Sequence, residues 1–350
     1  MKSLYPWFET QWQQWCQLGQ SQGHAYLLSA PKGIGIEQFV TAVVQKTVCQ
    51  TPTEQGGCGQ CQSCHLLQSQ QHPDFYHLTR LEDKKEISVE QIRTLIQKLN
   101  ETSHQGGYKI IWIEGTEQLN QSAFNALLKN LEEPARQTLF LLTTHNIGRL
   151  PETIKSRCQQ LNFPPPVLKD AIAWLQQTAP QMDLALIKRA LRVNWGAPLD
   201  ALNWMETGKF EEDTQWKEGL KQLQTGRKTV SNVVAEWLKW STPISVFDYF
   251  YLWSVSAVRS VTYVSQNSTQ NSTQNIAQTF SQSTNPEQHQ QLQNWLTFQQ
   301  ATLQAKQHWL SNANKELVLE TLCLEWLEVQ QNPAPFQSVF QSKLQKGALA

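Results

Sequence analysis

His24-Ala25-Tyr26-Leu27-Leu28-Ser29-Ala30-Pro31-Lys32-Gly33-Ile34-Gly35-Ile36-Glu37 is the stretch that decides the fold class. A short apolar run ends at a glycine turn, and apolar residues resume at Phe39, Val40, Val43 and Val44 with helical spacing. The order is strand, glycine turn, helix. Ile110-Ile111-Trp112-Ile113 and Leu139-Phe140-Leu141-Leu142-Thr143 are two more continuous apolar runs of strand length. Such runs are expected where helices cover both faces of a parallel sheet.

Helices lie between these strands. Ser88 and Gln91 match a capping box ahead of Val89, Ile92, Leu95, Ile96 and Leu99. Asn120 can cap a second helix whose Ala123, Phe124, Leu127, Leu128 and Leu131 form one stripe, terminated by Glu133-Pro134. Residues 1–165 are therefore expected to form an α/β module with a doubly wound parallel sheet.

Phe163-Pro164-Pro165-Pro166 can continue neither a helix nor a central strand, which makes it the expected domain boundary. Beyond it the pattern is helical only. Ala171 to Leu175, Leu184 to Val193 and Leu199 to Met205 read as short helices of a small domain over 166–208. Longer apolar-periodic stretches follow over 209–350. The duplicated Gln-Asn-Ser-Thr segment has too little apolar matter to fold, and a disordered loop is expected at about 266–287.

At 350 residues the chain is too long for one ordinary core. Its 29 basic and 29 acidic side chains give no strong cationic field, so tight, stand-alone nucleic-acid binding is not favoured. The start of the chain carries no apolar run of signal length, no later run approaches a membrane span, and a cytoplasmic protein is expected. Seven cysteines divide into a cluster of four and the scattered Cys16, Cys158 and Cys323. In a reducing compartment such a cluster reads as a metal site.

That cluster is Cys49-x8-Cys58-x2-Cys61-x2-Cys64. Its Cys-x2-Cys steps let neighbouring sulfurs reach one tetrahedral ion at about 2.3 Å. Gly56, Gly57 and Gly59 permit the tight backbone such knuckles need. Structural zinc is expected at Cys49, Cys58, Cys61 and Cys64, with an iron–sulfur cluster as the chemical alternative. His65 is adjacent and could replace a ligand.

A working phosphate loop needs glycines to cradle phosphate, a lysine to reach the outer phosphates and a hydroxyl to hold magnesium. In that register this chain has Ala30, Gly35, Ile36 and Glu37, with Gly33 and Lys32 inside the loop. Ile36 carries no charge, and Glu37 would repel a nucleotide. A chance glycine turn is the bland reading; its place between strand and helix favours a decayed phosphate loop. After the next strand comes Ile113-Glu114-Gly115-Thr116-Glu117, where Glu114 keeps a carboxylate but glycine occupies the water-activating position. The expectation is a domain that neither holds nor hydrolyses ATP. Ser156-Arg157-Cys158 follows a strand ending at Thr143-Thr144, and an arginine at a domain edge can place its planar fork on a phosphate bound by another subunit.

Taken together, these residues resemble the clamp-loader branch of the AAA+ ATPases of bacterial DNA replication. Tyr5-Pro6-Trp7, Gly23-His24, the Cys49 to Cys64 module, His72-Pro73-Asp74, the run from Asn125 to Pro134, and Ser156-Arg157-Cys158 carry the likeness. It covers residues 4 to 165 strongly and the rest by architecture alone. The resemblance implies a zinc-containing AAA+ module, a small helical lid over 166–208 and a helical collar over 209–350. It implies a stationary, non-hydrolysing subunit that supplies Arg157 as a finger to an adjacent motor. Leu199 in Gly196-Ala197-Pro198-Leu199 stands where motors of the family carry a lid arginine. The implied partners are motor subunits of the tau/gamma type and a delta subunit in a heteropentamer, with the sliding clamp and primed DNA reached through that complex and no membrane.

Two other classes compete with this reading: an active AAA+ ATPase with a divergent loop, and a stand-alone zinc-knuckle nucleic-acid binder. Fourteen tryptophans could act as stacking platforms for single strands. Those of the second half recur at helical apolar positions without basic neighbours, so core and interface packing is the better account.

Overall fold

The structure is a computed structural model that describes residues 4–18, 23–99, 103, 107–267, 286–311, 313–332 and 334–340. It divides into two compact units, Met1–Asn203 and Trp204–Ala350. The expected division has three parts, 1–165, 166–208 and 209–350, and the boundary between the two units falls inside the second of them.

The first unit is built on a parallel five-stranded sheet in the order β2-β3-β4-β1-β5. The strands are β1 (Ala25–Ser29), β2 (Phe75–Leu78), β3 (Lys109–Ile113), β4 (Thr138–Thr144) and β5 (Gln159–Asn162). Register is set by pairs such as Ala25 with Phe140 and Tyr26 with Gln159. Successive side chains of a strand point to opposite faces, so each central strand feeds two cores. Tyr26, Leu28, Ile110, Trp112, Leu139 and Leu141 pack on one side with α1 (Glu9–Leu18) and α2 (Ile36–Val48). Ala25, Leu27, Ile111, Ile113, Phe140 and Leu142 pack on the other with α4 (Val89–Leu99), α5 (Gln121–Glu132) and α6 (Glu152–Lys155). Between α2 and β2 lies a short helix, α3 (Gln62–Gln68).

Both expected caps are present. Ser88 and Gln91 exchange backbone-to-side-chain hydrogen bonds of 3.1 and 3.4 Å, and Asn120 Oδ1 accepts from the Ala123 amide at 2.9 Å. The short strands β2 and β5 were absent from the sequence reading, because neither is a continuous apolar run and both sit at sheet edges. The first unit continues through α7 (Leu168–Thr178), α8 (Leu184–Val193) and the start of α9 (Pro198–Glu206).

The second unit is helical, with helices Lys209–Gln224, Val230–Trp237, Ser245–Asn267, Pro286–Leu310 and Lys315–Gln331. Trp237, Trp295, Trp309 and Trp326 are buried, and Phe250 meets Trp216, Trp237 and Phe298 edge to face. These rings fill a core, as expected. At the borders of the expected disordered loop, Gln266 and Asn267 close one helix, while Pro286 and Glu287 open the next. The remainder, 268–285, lies outside the described residues. No helix among the described residues is long and apolar enough to cross a membrane.

Candidate functional site

The glycine turn follows β1 and delivers the chain into α2. Gly33 and Gly35 adopt left-handed backbone with φ of 73° and 80°, a region that glycine enters without a side-chain clash. Their missing side chains are filled by other parts of the unit. A Cβ on Gly33 would lie 2.3 Å from Cγ of Asp200, and one on Gly35 would lie 2.4 Å from the Tyr5 ring and 2.9 Å from Leu199 Cδ1. The Leu199 amide donates to Gly33 O at 2.9 Å, Trp7 Nε1 donates to Ile34 O at 2.9 Å, and the Tyr5 amide donates to Gln38 Oε1 at 2.8 Å. Tyr5 and Trp7 stack on each other at 4.8 Å, and Trp174 meets both edge on. Ile36, in the register of the missing lysine, is 1% exposed and belongs to the core. Burial, reinforced by the Glu37 carboxylate, pushes the Tyr5 hydroxyl above its ordinary pKa. The turn is thus covered by an aromatic pair, a leucine and a carboxylate, a lining that repels a phosphate.

At the end of β3, Glu114 Oε2 sits 2.8 Å from His77 Nε2, and His77 stacks on Trp112 at 4.1 Å. The His77 hydrogen bond holds the Glu114 carboxyl below its ordinary pKa against the opposing effect of burial. Gly115 turns in left-handed conformation and leads into a single 3-10 turn over Thr116–Gln118 that contains Glu117. Glu117 Oε1 accepts from the His145 amide at 3.3 Å, and its Oε2 is buried without a hydrogen-bond partner among the described residues. His145 Nδ1 donates to Ala30 O at 2.9 Å, which links the β4 end to the glycine turn. The sequence reading did not find this link between Glu117, His145 and the glycine turn, because it joins residues far apart in the chain.

The four clustered cysteines meet at the junction of α2 and α3. Cys49 ends α2, Cys61 caps α3 and Cys64 lies within it. All four sulfurs lie within 4.8 Å of one another, with Cys49 to Cys61 at 3.8 Å and Cys58 to Cys64 at 4.0 Å. Four sulfurs at tetrahedral corners around one ion would be about 3.8 Å apart. The residues therefore fit a single metal ion such as zinc. Amides of Cys58, Gln60 and Cys61 donate to Cys49 and Cys58 sulfurs at 3.1 to 3.4 Å. Thr51 and those amides lower the Cys58 pKa to about 5, whereas burial raises that of Cys64 to about 12. A cation is what would allow all four to ionise together. His65 is exposed and stands outside the cluster.

Arg157 lies between α6 and β5. Ile154 and Cys158 on either side of it are buried in the same core as Leu127 and Leu131 of α5, and burial raises the Cys158 thiol to about 12. Its Nε donates to Glu132 Oε1 at 2.7 Å, its Nη2 donates to the same oxygen, and its Nη1 donates to Thr153 O at 2.8 Å. The arginine side chain remains 30% exposed.

With this geometry in place, comparison with known proteins is informative. The family model described as DNA polymerase III, delta subunit, matches residues 8–167. DNA polymerase III subunit delta' of Pseudomonas aeruginosa is 32% identical over 327 residues, which cover 93% of this chain and 98% of that one. The chain belongs to the DNA polymerase III delta-prime family. Delta-prime subunits of Haemophilus influenzae and Escherichia coli K12 are 37% and 36% identical, over 61% and 57% of this chain. Those two alignments span 64% and 60% of the relatives' own lengths. The family model ends just past the proline boundary, so it covers the α/β module, and the Pseudomonas alignment extends into the helical unit.

Proposed function

We propose that this chain is a non-hydrolysing subunit of a DNA polymerase III clamp loader that supplies Arg157 to a nucleotide held by a neighbouring motor subunit. The observation that carries the reading is the covered glycine turn: Asp200 lies against Gly33, Tyr5 and Leu199 lie against Gly35, and Ile36 is withdrawn into the core. Three separate features oppose a triphosphate there: no cation in the lysine register, an added carboxylate, and side chains packed against both glycines. Arg157, in contrast, lies between α6 and β5 with its side chain 30% exposed. A planar, permanently charged fork suits a phosphate across a subunit boundary, where it would stabilise charge building up in phosphoryl transfer.

On this reading residues 1–165 act as the AAA+ type module, 166–208 as its lid and 209–350 as the collar that joins tau/gamma-type motors and a delta subunit. The assembly works in the cytoplasm, and the sliding clamp and primed DNA are reached through it. Zinc at Cys49, Cys58, Cys61 and Cys64 would neutralise the thiolates and tie the end of α2 to the start of α3. A multi-iron cluster, in which each iron takes its own thiolates, would hold these sulfurs farther apart. Metal analysis of protein purified without added metal should return one zinc per chain; an iron signal with sulfide would replace the zinc assignment. The finger role is tested in a reconstituted loader where the motor facing this subunit is the one hydrolysis-competent copy. Arg157→Ala should lower its turnover by about a thousandfold, and unchanged turnover removes the role.

A further inference from the structure

We infer that Glu132 is a positioning residue for Arg157: its carboxylate grips one edge of the guanidinium and leaves an Nη2 donor for a phosphate on another subunit. This rests on the finger reading of Arg157. A guanidinium carries five N–H donors in a rigid plane. Nε and Nη2 both donate to Oε1 of Glu132, and Nη1 donates to the Thr153 carbonyl at 2.8 Å. Three donors are thereby directed into the chain's own structure. Nη1 also donates to the Ser156 hydroxyl at 3.4 Å, and one donor on Nη2 has no partner among the described residues. That Nη2 donor is the one left for an oxygen of a phosphate.

The grip is built on rigid elements. Glu132 is the last residue of α5, directly after the buried Leu131. Arg157 is anchored between the buried Ile154 and Cys158. Leu131, Ile154 and Cys158 belong to one core, so both backbones are fixed to the same packed layer. A long arginine side chain at 30% exposure would otherwise sample many rotamers, and a misplacement of about 1 Å at a reacting phosphate can cost about a hundredfold in rate. Glu132 also offsets the arginine's charge, which weakens its attraction for phosphate. Positioning and neutralisation thus act in opposite directions, and the two roles predict opposite signs on removal of the carboxylate.

Both bonds from Nε and Nη2 use a single oxygen, Oε1. A glutamine amide oxygen can take its place without the charge, so Glu132→Gln is the rescue variant and Glu132→Ala is the test. In the loader with one competent motor, Glu132→Ala should lower kcat by roughly tenfold to a hundredfold with KM for ATP little changed, while Glu132→Gln should stay within about threefold of the parent. The double variant Glu132→Ala with Arg157→Ala should be no slower than Arg157→Ala alone, since a group that acts through the arginine has nothing left to position. Thermal unfolding of each isolated variant separates loss of fold from loss of rate. If Arg157→Ala is slow and Glu132→Ala is not, the positioning role is overturned while the finger survives. A faster Glu132→Ala makes the carboxylate a brake and also overturns the role, as does a multiplicative loss in the double variant. Full activity of Arg157→Ala removes the finger reading, and this inference with it.

Discussion

The glycine turn after β1 and the arginine before β5 are the two places for which we propose a link to nucleotide chemistry, and the fold treats them in opposite ways. The turn has been covered by its own chain, with Asp200, Leu199 and Tyr5 against its glycines. The arginine keeps a partly exposed side chain whose orientation is held by polar bonds to Glu132 and Thr153. On the proposed function, the contrast separates two physical marks, that of a silenced phosphate loop and that of a finger. A silenced loop fills with side chains that stabilise the fold, whereas a working donor must stay partly unsatisfied until its ligand arrives.

The sharpest way to break this contrast is to restore the loop lysine. Ile36→Lys places an ammonium where a side chain 1% exposed now packs with Phe39 and Val40. It should cost about 2 to 4 kcal/mol, read from the shift in the urea unfolding midpoint. It should bring no nucleotide binding, because Asp200 and Tyr5 still cover the turn. Micromolar ATP binding by that variant would show that the missing cation alone silences the site.

A smaller effect sharpens the comparison at the strand end. Glu114 has a folded pKa below its ordinary value of 4.5, chiefly through His77. Its contribution to stability is therefore fully present above 4.5 and is lost as pH falls through the lower folded value. Because both partners are about one-third exposed, the contribution should be under about 1 kcal/mol. Thermal melts of Glu114→Gln across the acid range should show a shallower loss of stability than the parent. An unchanged acid limb would mean that His77 and Glu114 are not coupled in solution.

Much of the α/β module was legible in sequence because its signals are local. Apolar runs gave β1, β3 and β4, Ser88 with Gln91 and Asn120 gave the caps, and the spacing of Cys49, Cys58, Cys61 and Cys64 gave four sulfurs that meet at one point. What stayed hidden depends on residues far apart in the chain. Nothing near Gly33 announces that Asp200 will lie against it, and nothing near Arg157 announces Glu132. Strands β2 and β5 were hidden for a different reason: at four residues each, on sheet edges, they carry too few apolar side chains to show a period. Ile36 and Gly115 could be read directly as departures from the phosphate-loop and strand-end pattern, but the contact of Glu117 with the His145 amide could not, because a turn brings them together.

Titrating the isolated full chain with a fluorescent ATP analogue in the presence of magnesium tests the central claim most directly. The covered turn predicts no saturable binding at millimolar nucleotide and no phosphate release. Saturable micromolar binding that Ile36→Glu abolishes would place a triphosphate in the turn and contradict the account.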